Sequence, residues 1–266
     1  MKRILLTVLS LWLFNSILFA SASKPNVLLI CIDDLRPVLG SYGGAAITPN
    51  IDRFAESAIQ FNRHYVQFPS CGPSRSSMLG GIRPDTINLF GNGGASRIAQ
   101  RPETHPTMPL HFRNNGYTTL SFGKTYHSKG TGPGFGWSEK PWQPPSGWTC
   151  YVDFEYTSKM KGKWRPAYEI YDGPDHLHGD HQTASEAIQA IEAHKDEPFF
   201  IAVGFYKPHL PFVAPKRFWD LYENEDLDLI APQFVPEGAV THSYAWSEIW
   251  AYGDQHGKLF SETRPP

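Results

Sequence analysis

The sequence predicts an α/β fold, in which a sheet of buried strands is flanked by helices. Three apolar runs, at residues 26–32, 117–122 and 198–205, have the length and composition of buried strands. The first run is continuous enough to be buried on both faces of a sheet. Helical patterns separate the runs, and the 266 residues are enough for one large domain or two small ones.

The helices begin and end at recognisable signals. Thr48 and Pro49 predict a helix start, by an N-cap and a first-turn proline. The apolar residues that follow recur on one helical face: Ile51, Phe54, Ala55, Ala58 and Ile59. A short strand is predicted over residues 61–66, and further helices from Cys71 onward and over residues 108–115 (closed by Gly116), 183–194 and 215–222.

The N-terminus has the features of a secretory signal peptide, predicted over residues 1–22. Lys2 and Arg3 precede an apolar stretch over residues 4–19, and Ala20-Ser21-Ala22 matches a cleavage site for signal peptidase. The protein is therefore expected to be secreted or periplasmic, with no membrane span after signal cleavage. An uncleaved anchor is the alternative, although the apolar run is short and interrupted for a membrane span.

Charge and cysteine content exclude some classes of function. The formal net charge is −2, and nothing in the pattern indicates a nucleic-acid-binding face. The three cysteines, Cys31, Cys71 and Cys150, include no CxxC pair, so the sequence supports neither a thioredoxin-type site nor a zinc knuckle.

Residues 70–79 are the most informative stretch for chemistry. Pro73 suits the first position of a helix, which predicts that Cys71 lies at a helix N-terminus, where an anion is favoured. Arg75 adds a planar cation suited to a tetrahedral oxyanion. The alternative is a buried cysteine in a tight turn. A cysteine-dependent phosphatase is excluded, because its phosphate loop requires arginine where this chain has Ser77.

Polar residues follow all three predicted strands, at the edge of an α/β sheet where ligands bind. Adjacent carboxylates at the first strand end suit a hard divalent cation. The long, irregular segment over residues 128–180 is predicted to be an insertion at the mouth of the cleft, and Asp180 leads from it into a helix. The residues at the strand ends are Asp33, Asp34, Lys124, His127, Lys207 and His209.

The sequence resembles the type I sulfatases of the alkaline-phosphatase superfamily, and within them the iduronate-2-sulfatase branch. The resemblance runs in order from about residue 24 to about residue 239. It is carried by KPNVLLI at 24–30, DDLRP at 33–37, TPNID at 48–52, CGPSR at 71–75, GIRPDT at 81–86, NGY at 115–117, GKTYH at 123–127 and VGFYKPH at 203–209.

The resemblance implies an alkaline-phosphatase-like mixed sheet flanked by helices and a glycosaminoglycan sulfatase activity. A maturation enzyme would convert Cys71 to formylglycine, whose hydrate attacks sulfur. Asp33, Asp34 and position 71 would bind Ca²⁺. Arg75 would hold the hydrate, Lys124 and His127 would bind sulfate, His127 would act as the base and His209 would assist the leaving alcohol. Lys207 would support the turn that carries His209.

The sequence also departs from the family pattern. It lacks a further strand ending in Asp-His-Gly or Asn-His-Gly, which completes the metal site, and a downstream lysine. These differences predict the N-terminal part of a catalytic domain over residues 23–252, an unpatterned tail over residues 253–266 and an incomplete Ca²⁺ site in a truncated chain. Two alternatives stay open: a phosphoesterase or phosphonate hydrolase of the same superfamily, and a catalytically inactive remnant.

Overall fold

The computed structural model describes residues 24–93, 97–98, 105–127, 133–153, 165–223, 237–238, 248 and 252. These residues form five strands and five α-helices, together with short 3-10 helices. The strands are β1 (Val27–Ile32), β2 (Thr118–Gly123), β3 (Tyr168–Tyr171), β4 (Phe199–Phe205) and β5 (Phe212–Pro215). The α-helices are α1 (Pro49–Ala55), α2 (Cys71–Gly80), α3 (Met108–Asn114), α4 (Gly179–Ala193) and α5 (Lys216–Trp219).

The central sheet has three strands in the order β1-β4-β2, and both pairings are parallel. β4 lies in the middle, and Phe200, Ile201 and Ala202 are completely buried. Because parallel strands end at the same edge, the segments after β1, β4 and β2 meet there. A second, two-stranded parallel sheet pairs β3 with β5.

Helices and loops cover the two faces of the central sheet. On one face Phe200 stacks on Phe112 of α3 with ring centroids 4.6 Å apart, in a cluster that includes Leu79 of α2. On the other face Ile201 and Val203 pack with Ala187 of α4. This arrangement confirms the predicted α/β class with flanking helices.

The expectation that β1 is buried on both faces is wrong. Leu28 and Ile30 are 46% and 54% exposed, whereas their neighbours across the β1–β4 ladder, Ile201 and Val203, are buried. The reason is that α4 packs over β2 and β4 on this face. A continuous apolar run therefore indicated a strand correctly but did not indicate which side chains would be covered.

Several predicted local features also differ from the structure. Residues 61–66 form bends and irregular chain rather than a strand, and they pair with no described strand. α1 ends at Ala55, before Ala58 and Ile59, and the remaining apolar face is open, with Phe54 71% exposed. Pro73 is the third rather than the first residue of α2.

The predicted insertion at residues 128–180 contains regular structure near its end, where β3 pairs with β5 and α4 begins at Gly179. Its residues 138–142 lie along the outer edge of β2: the Trp142 N–H donates to the Ser121 carbonyl at 2.9 Å, and the Gly123 N–H to the Trp142 carbonyl at 2.9 Å. Residues 128–132 and 154–164 of the insertion lie outside the described residues, as do the predicted signal peptide and the predicted tail. In the described part of the chain, no helix combines the length and apolar character needed to span a bilayer.

Gly204 lets the chain leaving β2 cross over the end of β4. The Lys124 N–H donates to the Gly204 carbonyl at 2.8 Å. A Cβ at position 204 would lie 1.9 Å from the Lys124 carbonyl oxygen, which is backbone and cannot rotate away. Since β4 separates β1 from β2, this close approach brings Lys124 within reach of the residues that follow β1.

We expect Gly204→Ala to lower the free energy of unfolding by about 3 kcal/mol, because the added methyl group overlaps the Lys124 backbone. Gly91→Ala is the matched control, since a Cβ there meets no atom of the described residues within 4 Å. Chemical denaturation of the two variants tests the prediction. Equal stability of the two variants would contradict the close approach of the Lys124 backbone to position 204.

Candidate active site

An open cleft of about 1240 Å³ lies at the edge where β1, β2 and β4 end. Asp33 and Asp34 follow β1, Lys124 and His127 follow β2, and His209 follows β4. Helix α2 brings its first turn to the same edge. The structure thereby brings together in one cleft all seven predicted site residues: Asp33, Asp34, Cys71, Arg75, Lys124, His127 and His209.

The floor of the cleft is a buried ionic triad of Asp33, Arg75 and Lys124. The Nη2 of Arg75 donates to Oδ1 of Asp33 at 2.8 Å, and the Nζ of Lys124 donates to Oδ2. Arg75 also donates through Nη1 to the carbonyls of Lys124 and Thr125. The Arg75 guanidinium therefore joins α2 to β1 and to the chain beyond β2.

The triad keeps the Asp33 carboxylate ionised. Burial alone would raise the pKa of Asp33, but the charges of Arg75 and Lys124 and their hydrogen bonds outweigh burial and hold that pKa below its usual value. The Asp33 backbone is fixed as well, because its N–H donates to the Phe205 carbonyl of β4 at 3.1 Å. A charged carboxylate is thus held in one position at neutral pH.

Cys71 is the first residue of α2, as the sequence predicts, and it is partly buried. Its Sγ lies 3.7 Å from Oδ1 of Asp34. Burial raises the pKa of the Cys71 thiol to about 11; the charge of Lys124 opposes this rise, and the carboxylates of Asp33 and Asp34 add to it. The unmodified side chain is therefore a neutral thiol at physiological pH, which is a poor nucleophile.

Asn92 occupies part of the α2 N-terminus, a contact that the sequence did not indicate. Its Oδ1 accepts hydrogen bonds from the Gly72 N–H at 2.8 Å and from the Ser70 hydroxyl at 3.0 Å. One of the free N–H groups of the first turn is therefore satisfied within the protein. Asn92 also closes the space beside Gly72, where a Cβ would lie 2.9 Å from the Asn92 Cα.

His127 and His209 differ in their surroundings. Burial lowers the pKa of His127, and the nearby charge of Lys124 lowers it further, which favours a neutral imidazole. Its Nδ1 is buried and has no hydrogen-bond partner among the described residues. In His209 the Nδ1–H donates to the Leu210 carbonyl at 2.5 Å, so that Nε2 faces the cleft.

The Nε2 of His209 lies between two carboxylates, 3.9 Å from Oδ2 of Asp34 and 3.8 Å from Oε2 of Glu248. The Trp148 ring packs edge-on against the imidazole, with ring centroids 5.9 Å apart. No pattern in the sequence indicated Glu248. Trp148 lies in the loop predicted at the cleft mouth, but the sequence did not identify it as a site residue.

A group of ligand atoms suited to a metal lies in the same cleft. Atoms of Asp33, Asp34, Cys71 and His209 all lie within 4.8 Å of one another, and this is the one such group within the described ranges. Each carboxylate oxygen of Asp33 keeps a second lone pair beyond its bond to Arg75 or Lys124. The two carboxylates fit a hard divalent cation, whereas the Cys71 sulfur is a soft ligand that fits one less well.

Comparison with known proteins relates this architecture to one family. The family model described as Sulfatase matches residues 25–245. Human iduronate 2-sulfatase is 37% identical over 240 residues, which cover 84% of this chain and 42% of that protein. A Delta 4,5-hexuronate-2-O-sulfatase of Bacteroides thetaiotaomicron is 29% identical over 188 residues, covering 70% of this chain and 34% of that protein.

Solved structures show the same fold. Phosphonate monoester hydrolase from Silicibacter pomeroyi matches with a TM-score of 0.58 and 22% identity, over 78% of this chain and 46% of that one. The chain spans less than half the length of the curated relatives that it matches.

Arg75→Ala should lower the free energy of unfolding by about 3–5 kcal/mol, because it removes the buried partner of one Asp33 oxygen and of two carbonyls. Arg83→Ala is the matched control: Arg83 pairs with Asp85 at the surface, with 74% of its side chain exposed, and its loss should cost about 0.5 kcal/mol or less. Urea denaturation measures both values. Similar losses in the two variants would contradict the structural role of the triad.

Proposed function

The chain belongs to the sulfatase family, and from this premise we propose that its cleft hydrolyses sulfate esters of sugars. The observation that carries the proposal is the convergence of a cysteine at a helix N-terminus, two carboxylates and a cationic floor in one cleft. Sulfate is a tetrahedral oxyanion, and fixed cations stabilise the charge that develops as its ester bond breaks.

We propose that the nucleophile is a formylglycine made from Cys71 by a maturation enzyme. The neutral thiol, with its pKa raised to about 11, supports this proposal because it argues against attack by a thiolate. An aldehyde hydrate at position 71 would supply a nucleophilic oxygen and a second hydroxyl that allows sulfate to leave. Such a hydrate is neutral, so burial does not penalise it as it does a thiolate.

The other residues have separate tasks in this proposal. Lys124 retains ammonium protons beyond its bond to Asp33, and with His127 it binds the sulfate oxygens. His127 accepts a proton from the hydroxyl at position 71, for which a neutral imidazole is suited. His209, in its doubly protonated form, keeps Nδ1–H on the Leu210 carbonyl and donates the proton of Nε2 to the departing alkoxide. Arg75 holds Asp33 and the Lys124 backbone in place and, as the family resemblance implies, the hydrate.

Asp33 and Asp34 are proposed to hold Ca²⁺ together with oxygens at position 71. Conversion of Cys71 to formylglycine would replace the soft sulfur of the ligand group by oxygen, which Ca²⁺ prefers. When bound, the ion would polarise the sulfate and the hydroxyl at position 71. The described residues provide only part of the oxygen set that Ca²⁺ usually takes.

The proposed substrate is a 2-O-sulfated uronic acid in a glycosaminoglycan-like chain. The names of two relatives, iduronate 2-sulfatase and Delta 4,5-hexuronate-2-O-sulfatase, support this substrate class. Trp148 supports it physically, since its half-exposed ring beside His209 offers an apolar surface to a sugar. Cleavage of residues 1–22 as a signal peptide would place the enzyme outside the cytoplasm, and residues 23–252 would form the N-terminal part of its catalytic domain.

We expect the matured protein to hydrolyse a sulfate ester faster than the matched phosphate ester, and Cys71→Ala to abolish the activity. Kinetics on the two esters should be accompanied by mass spectrometry of the Cys71 peptide, where conversion of the thiol to an aldehyde changes the mass. Cys150→Ala is the control, because Cys150 is buried and does not belong to the group of metal-ligand atoms that includes Asp34.

The other possible outcomes distinguish the alternative functions. Preference for phosphate would indicate a phosphoesterase or phosphonate hydrolase. A converted Cys71 without hydrolysis of either ester would indicate an inactive remnant, and an unmodified thiol after expression with the maturation enzyme would contradict the proposed nucleophile.

Removal of the Asp34 charge should abolish binding of Ca²⁺. Asp34 has a left-handed backbone, with φ of 55°, which asparagine also adopts, so Asp34→Asn changes charge with little strain. Isothermal titration with Ca²⁺ measures the effect, with the surface variant Asp85→Asn as control. Equal affinity of Asp34→Asn and the unsubstituted protein would exclude Asp34 as a ligand.

A further inference from the structure

We propose that Asp180 is a positioning residue. Its carboxylate fixes His209 in the cleft by binding the backbone at the start of the turn that carries His209. This inference rests on the proposed function, in which His209 protonates the leaving alcohol. Asp180 is the second residue of α4, and His209 lies in the turn after β4.

The Asp180 carboxylate binds the chain at the point where β4 ends. Its Oδ1 accepts a hydrogen bond from the Tyr206 N–H at 2.9 Å, and its Oδ2 accepts one from the Lys207 N–H at 2.8 Å. Tyr206 and Lys207 are the first two residues beyond β4, so the sheet ladder no longer pairs their N–H groups. One carboxylate therefore sets the direction in which the chain leaves the central strand.

Lys207 continues the connection to His209. Its Nζ donates to the His209 carbonyl at 3.0 Å and to the Pro211 carbonyl at 2.7 Å. The His209 N–H donates to the Tyr206 carbonyl at 3.0 Å. Both the backbone and the side chain of Lys207 thus take part in the turn, and the backbone of His209 is held at both ends.

A hydrogen bond from the His209 side chain orients the imidazole. Because Nδ1–H of His209 donates to the Leu210 carbonyl at 2.5 Å, the orientation of the ring depends on the backbone of the turn, and Nε2 points towards Asp34 and Glu248. A change at Asp180 reaches the reacting atoms through this series of bonds. Asp180 itself is absent from the residues that line the cleft.

The buried position of Asp180 disfavours the ionised form of its carboxylate. Burial raises its pKa, although the two backbone hydrogen bonds and the charge of Lys207 oppose the rise. Asp175, at the beginning of the same region, pairs instead with Arg217 at the surface. Asp175 is therefore a suitable control for Asp180, because it binds an exposed arginine and Asp180 binds the turn that carries His209.

We expect Asp180→Asn to slow hydrolysis of alkyl or sugar sulfates by about 10²-fold, because the amide has a single oxygen for two N–H donors and His209 shifts. A nitrophenyl sulfate, whose leaving group needs no proton, should lose about threefold or less. The ratio of the two kcat values is the readout. It does not depend on the fraction of folded enzyme, so a merely structural role would leave it unchanged.

Two further variants complete this test. Asp175→Asn should leave the ratio unchanged, because that side chain has no bond to the His209 turn. In a His209→Ala background, Asp180→Asn should produce no further change in the ratio, since both substitutions act through one imidazole. An additive effect in the double variant would overturn the proposal.

A measurement without turnover separates this inference from the proposed function. Amide hydrogen exchange at Tyr206 and Lys207 should accelerate by about tenfold or more in Asp180→Asn, while amides of β4 such as Ile201 and Val203 stay protected as a control for folding. Unchanged exchange at both positions would overturn the positioning role even if the protein is a sulfatase. Accelerated exchange in a protein without sulfatase activity would support the positioning of His209 and reject the proposed function alone.

Discussion

The site depends on one carboxylate, that of Asp33, which two cations share. Arg75 approaches from α2 and Lys124 from the end of β2, and each takes one oxygen of Asp33. β1 and β2 do not touch, because β4 lies between them. The contact is possible because glycine at position 204 leaves room for the Lys124 backbone to cross the middle strand. The sheet order and this one glycine therefore determine where the charges of the cleft lie.

The buried triad contributes more to organisation than to net stability. Burial of ions is costly, and a buried pair often stabilises a protein no more than apolar residues would. Two cations against one carboxylate nevertheless leave the triad with one net positive charge, fixed at the bottom of the cleft. The proposed sulfate ester would meet donors that are already oriented, so little reorganisation would be required during the proposed reaction.

The sequence was most informative where local chemistry coincided with topology. Polar pairs at the ends of apolar runs predicted the cleft correctly, because parallel strands bring their carboxyl ends together. Contacts between distant segments were not predictable: Asn92 at the first turn of α2, Glu248 beside His209, and the open flank of β1 at Leu28. Arg75 was predicted as an oxyanion ligand, and in the structure its guanidinium holds Asp33 and two carbonyls. A sequence pattern identifies a reactive residue more readily than the partner that the fold assigns to it.

The surroundings of Cys71 support the proposed formylglycine at this position over a thiolate. Burial disfavours ionisation of the thiol and outweighs the charge of Lys124, and the carboxylates of Asp33 and Asp34 disfavour ionisation further. Those carboxylates are also the groups that would attract a hard divalent cation, and beside such an ion the Cys71 sulfur would be a soft ligand among oxygens. A neutral hydrate at position 71 avoids this conflict, because its oxygens can face a cation without carrying charge beforehand. The electrostatics that make Cys71 inert as a thiol are therefore compatible with its use as a formylglycine precursor.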